Sequence, residues 1–454
     1  MNANIFREYD IRGRFPEDLN AETAETLGRA LGTYYDAYGA RCIALGRDCR
    51  ISSPELRDAL AAGLMAAGRE VVDVGLVPTP LLYFSLFHLK LDGGVQITGS
   101  HNPPDYNGFK ICLGTDTIYG SEIQRIGEIA ASGRLREGKG KLEQAEVISP
   151  YLAYLAENLR PGSVKRRVVV DAGNGVGGLA APDTYRAMGV EVDELFCEPD
   201  GRFPHHHPDP TIPENLQDLV ARVQKTGADL GIGFDGDADR IGVVDDEGTV
   251  IWGDHLMVLF SRDLLERNPG ARIIAEVKCS QVLFDDIERH GGVPIMWKAG
   301  HSLIKSKMKE DGALLAGEMS GHLFFAERYF GFDDAVYAGA RLLEILTNTD
   351  RRLRDLLSDV PPMVNTPEIR MDCPDELKFQ VVEALADEFK EDYPVIDVDG
   401  ARVLFDGGWG LVRASNTQPV LVLRFEAGNE ERLQEIQQAF MKRVQYALDA
   451  ASPS

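Results

Sequence analysis

Ser100, His101 and Lys110 put a hydroxyl, an imidazole and a primary amine within one short stretch, Val95 to Lys110. A seryl oxygen in such company is a nucleophile or a carrier of a phosphoryl group. Val95 and Ile97 predict a strand ending at Gly99, and the Asn102-Pro103-Pro104 and Asn107-Gly108 signals that follow are turn chemistry. Ser100 is therefore expected on a tight, exposed loop. Serine is ordinary in turns, so its weight depends on what the rest of the chain supplies.

The second constellation is Asp235, Asp237 and Asp239, followed by Arg240, just after the apolar run Leu230 to Phe234. Alternate residues of an extended segment point the same way, so the spacing predicts that the three carboxylates converge. Such a cluster repels itself, and a hard divalent cation is the usual remedy. A calcium loop of the EF-hand kind needs Gly at its sixth position and Glu at its twelfth, where this chain has Arg240 and Asp246. Magnesium normally sits between carboxylates and a phosphate oxygen. A phosphoryl group on Ser100 would supply that ligand.

Two glycine-bounded loops follow apolar runs further on. Lys298, Gly300 and His301 form one; Glu318, Ser320 and His322 form the other. A carboxylate and a hydroxyl two residues apart suit vicinal sugar hydroxyls, and the histidines suit proton donation or phosphate contact. Arg413, Ser415, Asn416 and Thr417 lie between two apolar strands and offer the donors that a phosphate dianion needs. Arg12, near the N-terminus beside Tyr9, is a cation that could face an anion. His205, His206 and His207, flanked by prolines, read as a rigid interdomain loop and are left out of the site. The glycines at 173, 175, 177 and 178 miss the dinucleotide-binding spacing.

The elements that must carry these residues alternate between strand and helix. Helical periodicity covers Ala21 to Tyr38, Ser53 to Gly68 and Pro80 to Lys90; strands are expected at Cys42 to Leu45 and Glu70 to Val74. This is the βαβ pattern of a mostly parallel sheet covered by helices. Strand, glycine loop and helix recur from Lys165 and again from Ala271, which suggests three related α/β units. The Gly133 to Gln144 stretch reads as a boundary or a solvated hairpin. Beyond Pro361-Pro362 the pattern becomes α+β, with helices expected at Asp375 to Phe389 and Asn429 to Leu448.

With 454 residues, the chain is expected to hold about three or four domains. A formal charge of −24 argues against nucleic acid, so an anionic small molecule would need a locally basic pocket. Six scattered cysteines without a C-x-x-C pair read as free thiols in a reducing cytosol. No run approaches a membrane span, and a cytoplasmic protein, monomeric or weakly oligomeric, is expected.

The ordered motifs Tyr9 to Gly13, Thr98 to Lys110, Asp235 to Arg240, Lys298 to Ser302, Gly317 to His322 and Arg413 to Pro419 span nearly the whole chain. In that order they resemble the α-D-phosphohexomutase superfamily, and within it the bacterial phosphomannomutase/phosphoglucomutases. The resemblance implies four domains in a heart shape around a central cleft: three α/β domains with mixed sheets (1–146, 147–250 and 251–361) and a C-terminal α+β lid (362–454). It implies a phosphorylated Ser100 that holds Mg²⁺ together with Asp235, Asp237 and Asp239, with Arg240 beside them. Lys110, His101, His322 and Arg12 would serve acid, base or charge-stabilising roles. Glu318 and Ser320 would bind the sugar O3 and O4, with Tyr9, Lys298, Gly300 and His301 also lining the substrate, and Arg413, Ser415, Asn416 and Thr417 would grip the non-reacting phosphate. The implied reaction moves a phosphoryl group between C1 and C6 of a hexose phosphate through a hexose 1,6-bisphosphate. A phosphoglucosamine mutase is the rival within the class; a non-catalytic sugar-phosphate binder or a phosphatase is the rival outside it. Ala299 departs from the pattern, standing where many relatives carry a hydroxyl.

Overall fold

The computed structural model describes residues 2–415 and 419–451. Four sheets follow one another along the chain, and the first three share one plan. In the first, Cys42–Arg47 pairs in parallel with Glu70–Leu76 on one side and Gly93–Ile97 on the other, and Gly93–Ile97 turns back antiparallel into Tyr106–Leu113. In the second, Arg167–Asp171 lies parallel between Glu191–Leu195 and Leu230–Phe234, which turns back into Ile241–Asp245. In the third, Arg272–Glu276 lies parallel between Val293–Trp297 and Leu315–Gly317, which turns back into Leu323–Phe325.

Each of the three sheets ends its plan in this antiparallel hairpin. The three hairpin loops, 98–105, 235–240 and 318–322, carry Ser100, the aspartates, and Glu318 with Ser320 and His322. The strand, glycine loop and helix expected to recur from Lys165 and Ala271 do recur: Arg167–Asp171 and Arg272–Glu276 take the place in their sheets that Cys42–Arg47 holds in the first.

The Gly133 to Gln144 stretch is not a hairpin. Its end, Leu142–Gln144, adds a parallel edge strand to Glu70–Leu76 and so belongs to the first unit; the polar composition reflects an edge with all three residues exposed. Helices Ala21–Ala37, Ser53–Ala66 and Thr79–His88 stand within two residues of their expected limits. Thr79–His88 is apolar on all faces because it is buried on all of them. Leu81 and Phe84 enter one apolar cluster with Tyr151 and Tyr185 of the second unit and Leu256 and Phe332 of the third. That continuous core holds the three hairpin loops against one another.

The fourth sheet is antiparallel throughout, with Val420–Ala427 between Gly408–Ala414 and Ile369–Asp372. Helices Lys378–Lys390 and Glu430–Ala451 cover it around Leu385, Phe389 and Phe440. The first of these begins three residues later than expected. This unit keeps a separate core and meets the third unit through Val277, Trp409 and Leu411. No helix among the described residues is long and apolar enough to cross a membrane.

Candidate active site

Ser100 adopts a left-handed backbone, φ +48, that non-glycine residues rarely take. The turn buries it, 2% exposed, where the sequence suggested an exposed loop. Its amide donates to Thr98 Oγ1 at 2.8 Å, and its hydroxyl donates to Asp235 Oδ2 at 2.8 Å. His101 Nδ1 stands 3.1 Å from the same hydroxyl. Burial, then the nearby Arg240 and Arg12 cations, holds His101 well below the ordinary imidazole range, so its ring is neutral at pH 7.

The aspartates do converge, but not as an extended strand. Residues 235–240 form a tight turn with Ala238 at φ +58, in which Asp235 Oδ1 accepts the backbone amides of Asp239 and Arg240 at 3.1 and 3.2 Å. All three carboxylates are fully buried. Lys110 reaches in from Tyr106–Leu113, donating to Asp237 Oδ2 at 2.8 Å and to Asp239 Oδ2, and Thr79 Oγ1 adds a bond to Asp237 at 2.6 Å. Burial pushes Asp235 well above the ordinary carboxylate range, and its two aspartate neighbours add to this. Burial also opposes ionisation of Asp237 and of Lys110, yet their mutual attraction prevails: Asp237 falls below its ordinary value and Lys110 rises above its own.

Asp237 Oδ1 and Asp239 Oδ1 are buried without a hydrogen-bond partner. One oxygen from each of the three aspartates lies within 4.8 Å of the others. An orphaned buried carboxylate oxygen is costly, so the trio fits a hard divalent cation in addition to Lys110.

Arg240 and His322 form an isolated bridge between the second and third hairpin loops. Arg240 Nε donates to His322 Nε2 at 3.0 Å, which leaves the imidazole proton on Nδ1, facing Asp333 Oδ2 at 3.3 Å. His301 stacks on His322 with ring centroids 5.5 Å apart and faces Asp333 at 3.5 Å. Burial, then Lys305, holds His301 well below the ordinary imidazole range.

Glu318 Oε1 accepts the Gly300 amide at 2.6 Å, and Oε2 stands 3.4 Å from Ser320 Oγ. Gly300, at φ +131, would drive a Cβ to 2.7 Å from the Tyr9 ring, and Tyr9 donates to the Ala299 carbonyl at 3.1 Å. Lys298 is exposed at the edge of this loop. Arg12 donates to Asn102 Oδ1 at 2.5 Å and pairs with Asp10.

Arg413 lies within its strand rather than at the tip, opposite Val422. Its Nε donates to Asp399 Oδ2 at 3.0 Å, and the same oxygen accepts the Ala299 amide at 3.1 Å. Asp399 thus joins Arg413 of the fourth unit to the Ala299 loop of the third. Ser415 donates its amide to the Val420 carbonyl at 3.0 Å, while Asn416 and Thr417 lie outside the described residues.

Several residues in this web escape sequence reasoning. Asp333, Asp399 and Thr79 sit outside any glycine-bounded motif and join the site only through tertiary approach. The histidine run does touch the site: His207 Nε2 donates to the His101 carbonyl at 2.5 Å, and its proline flanks gave the only hint of a fixed loop.

Fold and site together define a four-unit α/β protein built around a buried serine, carboxylate and lysine centre. Profiles described as phosphoglucomutase/phosphomannomutase alpha/beta/alpha domains I, II and III match residues 3–137, 149–248 and 252–364, and the C-terminal domain profile of that family matches 368–443. The chain is 50% identical over 454 residues to a Pseudomonas aeruginosa phosphomannomutase/phosphoglucomutase, covering 100% of this chain and 98% of the relative. It is 47% identical to a Neisseria gonorrhoeae phosphoglucomutase, covering 97% and 96%. The crystal structure of a Burkholderia thailandensis phosphoglucomutase/phosphomannomutase family protein superposes with TM-score 0.94 at 45% identity, covering 98% of each chain. The chain belongs to the phosphoglucomutase/phosphomannomutase family.

Proposed function

We propose that this enzyme interconverts the 1- and 6-phosphates of glucose and mannose by moving a phosphoryl group through Ser100. The observation that carries the reading is the Ser100 hydroxyl, 2.8 Å from Asp235 in a buried centre shared with Asp237, Asp239 and Lys110. Family membership and the dual name of the Pseudomonas relative support the substrate class.

Phosphorylated Ser100 faces a hexose monophosphate whose own phosphate is held by Arg413 and Ser415, and whose hydroxyls meet Glu318 and Ser320. The free sugar hydroxyl attacks phosphorus; the new P–O bond forms as the bond to Ser100 Oγ breaks. His301, held neutral by burial, accepts the hydroxyl proton, and that proton ends on the released seryl oxygen beside His101. The resulting 1,6-bisphosphate turns in the site, and Ser100 takes the other phosphoryl group by the reverse steps. Asp235, Asp237 and Asp239, with the seryl phosphate, would hold Mg²⁺, which when bound offsets charge on the transferring group. Lys110 and Arg240 add fixed positive charge, and closure of the fourth unit excludes the water that would hydrolyse the phosphoenzyme.

Glucose 1-phosphate, mannose 1-phosphate and glucosamine 1-phosphate assayed side by side test this reading. Turnover of the first two through a phosphorylated enzyme is expected. Preference for the glucosamine substrate, or phosphate release without isomer formation, would overturn it.

A further inference from the structure

Arg50 is fully buried, yet it belongs to no part of the site described above. It follows the strand Cys42–Arg47, and every N–H of its guanidinium is used. Nη2 donates to the carbonyls of Ser100 and Asn102 at 2.8 and 2.6 Å, and Nη1 to those of Pro103 and Tyr106 at 2.5 and 3.0 Å. Nε donates to Asp48 Oδ2 at 3.1 Å, and that oxygen also accepts the Gly99 amide at 3.2 Å. The loop is closed from the other sides as well. The Phe203 ring of the second unit lies 5.2 Å from the guanidinium. A Cβ at Gly99 would stand 2.5 Å from the guanidinium carbon, and one at Gly236 would stand 2.4 Å from the Ser100 carbonyl.

One side chain thus draws four carbonyls of the reactive loop onto a single planar fork. A loop with Ser100 in the left-handed region needs its surroundings to hold it there, and these bonds do so at both ends of the turn. Lysine could not replace the fork, since one ammonium cannot span four acceptors arranged in a plane.

We propose that Arg50 is a positioning residue for phosphoryl transfer, fixing the Ser100 loop so that the seryl oxygen stays on Asp235 and beside His101 in both half-reactions. The proposal rests on the phosphoserine reading. It predicts an effect on the chemical step and not on substrate binding, because Glu318 and Arg413 lie on other units.

The test is Arg50→Lys in the full-length enzyme, with phosphorylation by glucose 1,6-bisphosphate and transfer to glucose 1-phosphate measured beside the wild type. Displacement of a reacting atom by about an ångström costs on the order of 100-fold, so kcat should fall by about that factor while KM stays within about twofold. Arg50→Ala should regain activity with millimolar guanidinium and not with ammonium. A wild-type kcat in Arg50→Lys, or a raised KM at constant kcat, would overturn the proposal. If the wild type takes up no phosphate at Ser100, the functional reading falls and this inference with it; if it does and Arg50→Lys transfers equally fast, this inference alone falls. Should neither variant fold, amide exchange in the wild type decides. Protection of residues 99–102 equal to that of Gly93–Ile97 is expected, and exchange at the rate of an open loop would contradict it.

Discussion

Lys110 donates to Asp237 Oδ2 at 2.8 Å across the boundary between the first and second units, and both side chains are buried. The lysine stands in a strand opposite Gln96, and the aspartate in a turn of another sheet. Their meeting lets three carboxylates share one small space, with Asp235 of the same trio accepting the Ser100 hydroxyl.

Lys110→Met removes the cation and leaves the carboxylates uncompensated. Breaking a buried pair costs about 3–5 kcal/mol, so the melting temperature should drop and turnover should fall by several orders of magnitude. Added Mg²⁺ should raise the melting temperature of this variant more than that of the wild type. Equal shifts would show that Lys110 and the metal do not serve the same carboxylates.

Arg413→Ala should weaken substrate binding with little effect on folding. A hydrogen bond to a charged group contributes about 1.5–3 kcal/mol, which is roughly 10- to 150-fold in KM. Steady-state kinetics with glucose 1-phosphate measure it; an unchanged KM would remove Arg413 from the phosphate site.

His206 lies 3.0 Å from the buried Asp171. Burial disfavours its charge, but the Asp171 hydrogen bond and attraction outweigh that and raise it above the ordinary 6.5. A raised folded-state value means the stabilisation is complete below about pH 6.5 and fades as the pH climbs through the raised value. The wild type should therefore out-melt His206→Gln by more at pH 6 than at pH 8.5. A gap that does not change with pH would contradict the pairing.

Much of this was legible because glycine and carboxylate spacing marks loops directly. Asp235 to Arg240, Gly317 to His322 and the Ser100 stretch were readable as loops after apolar strands, and the structure gathers them in one place. The manner of convergence was not readable: the aspartates meet through a turn with Ala238 at φ +58, a conformation that no residue type there announces. Arg50, Asp333 and Asp399 were silent for a related reason. Each acts on atoms of distant segments, Asp399 joining Ala299 to Arg413 for example, and such partners have no spacing in the chain. The equivalence of the three hairpins was hidden as well, since it resides in sheet order and not in residue pattern.

Removal of divalent metal should abolish turnover and lower the melting temperature, and Mg²⁺ should restore both. At a concentration about 100 times its dissociation constant the ion adds about 2.7 kcal/mol. Asp237→Asn should lose most of that increment. Full activity in chelated enzyme would contradict the assignment of the aspartate trio to a metal.

The central claim is that Ser100 carries the phosphoryl group. Intact-mass measurement of natively purified enzyme, before and after incubation with glucose 1,6-bisphosphate, tests it most directly. A species heavier by one phosphate is expected, located at Ser100, discharged by glucose 1-phosphate and absent from an inactive Ser100→Ala. A Ser100→Ala enzyme that still interconverts the hexose phosphates at the wild-type rate would contradict the account.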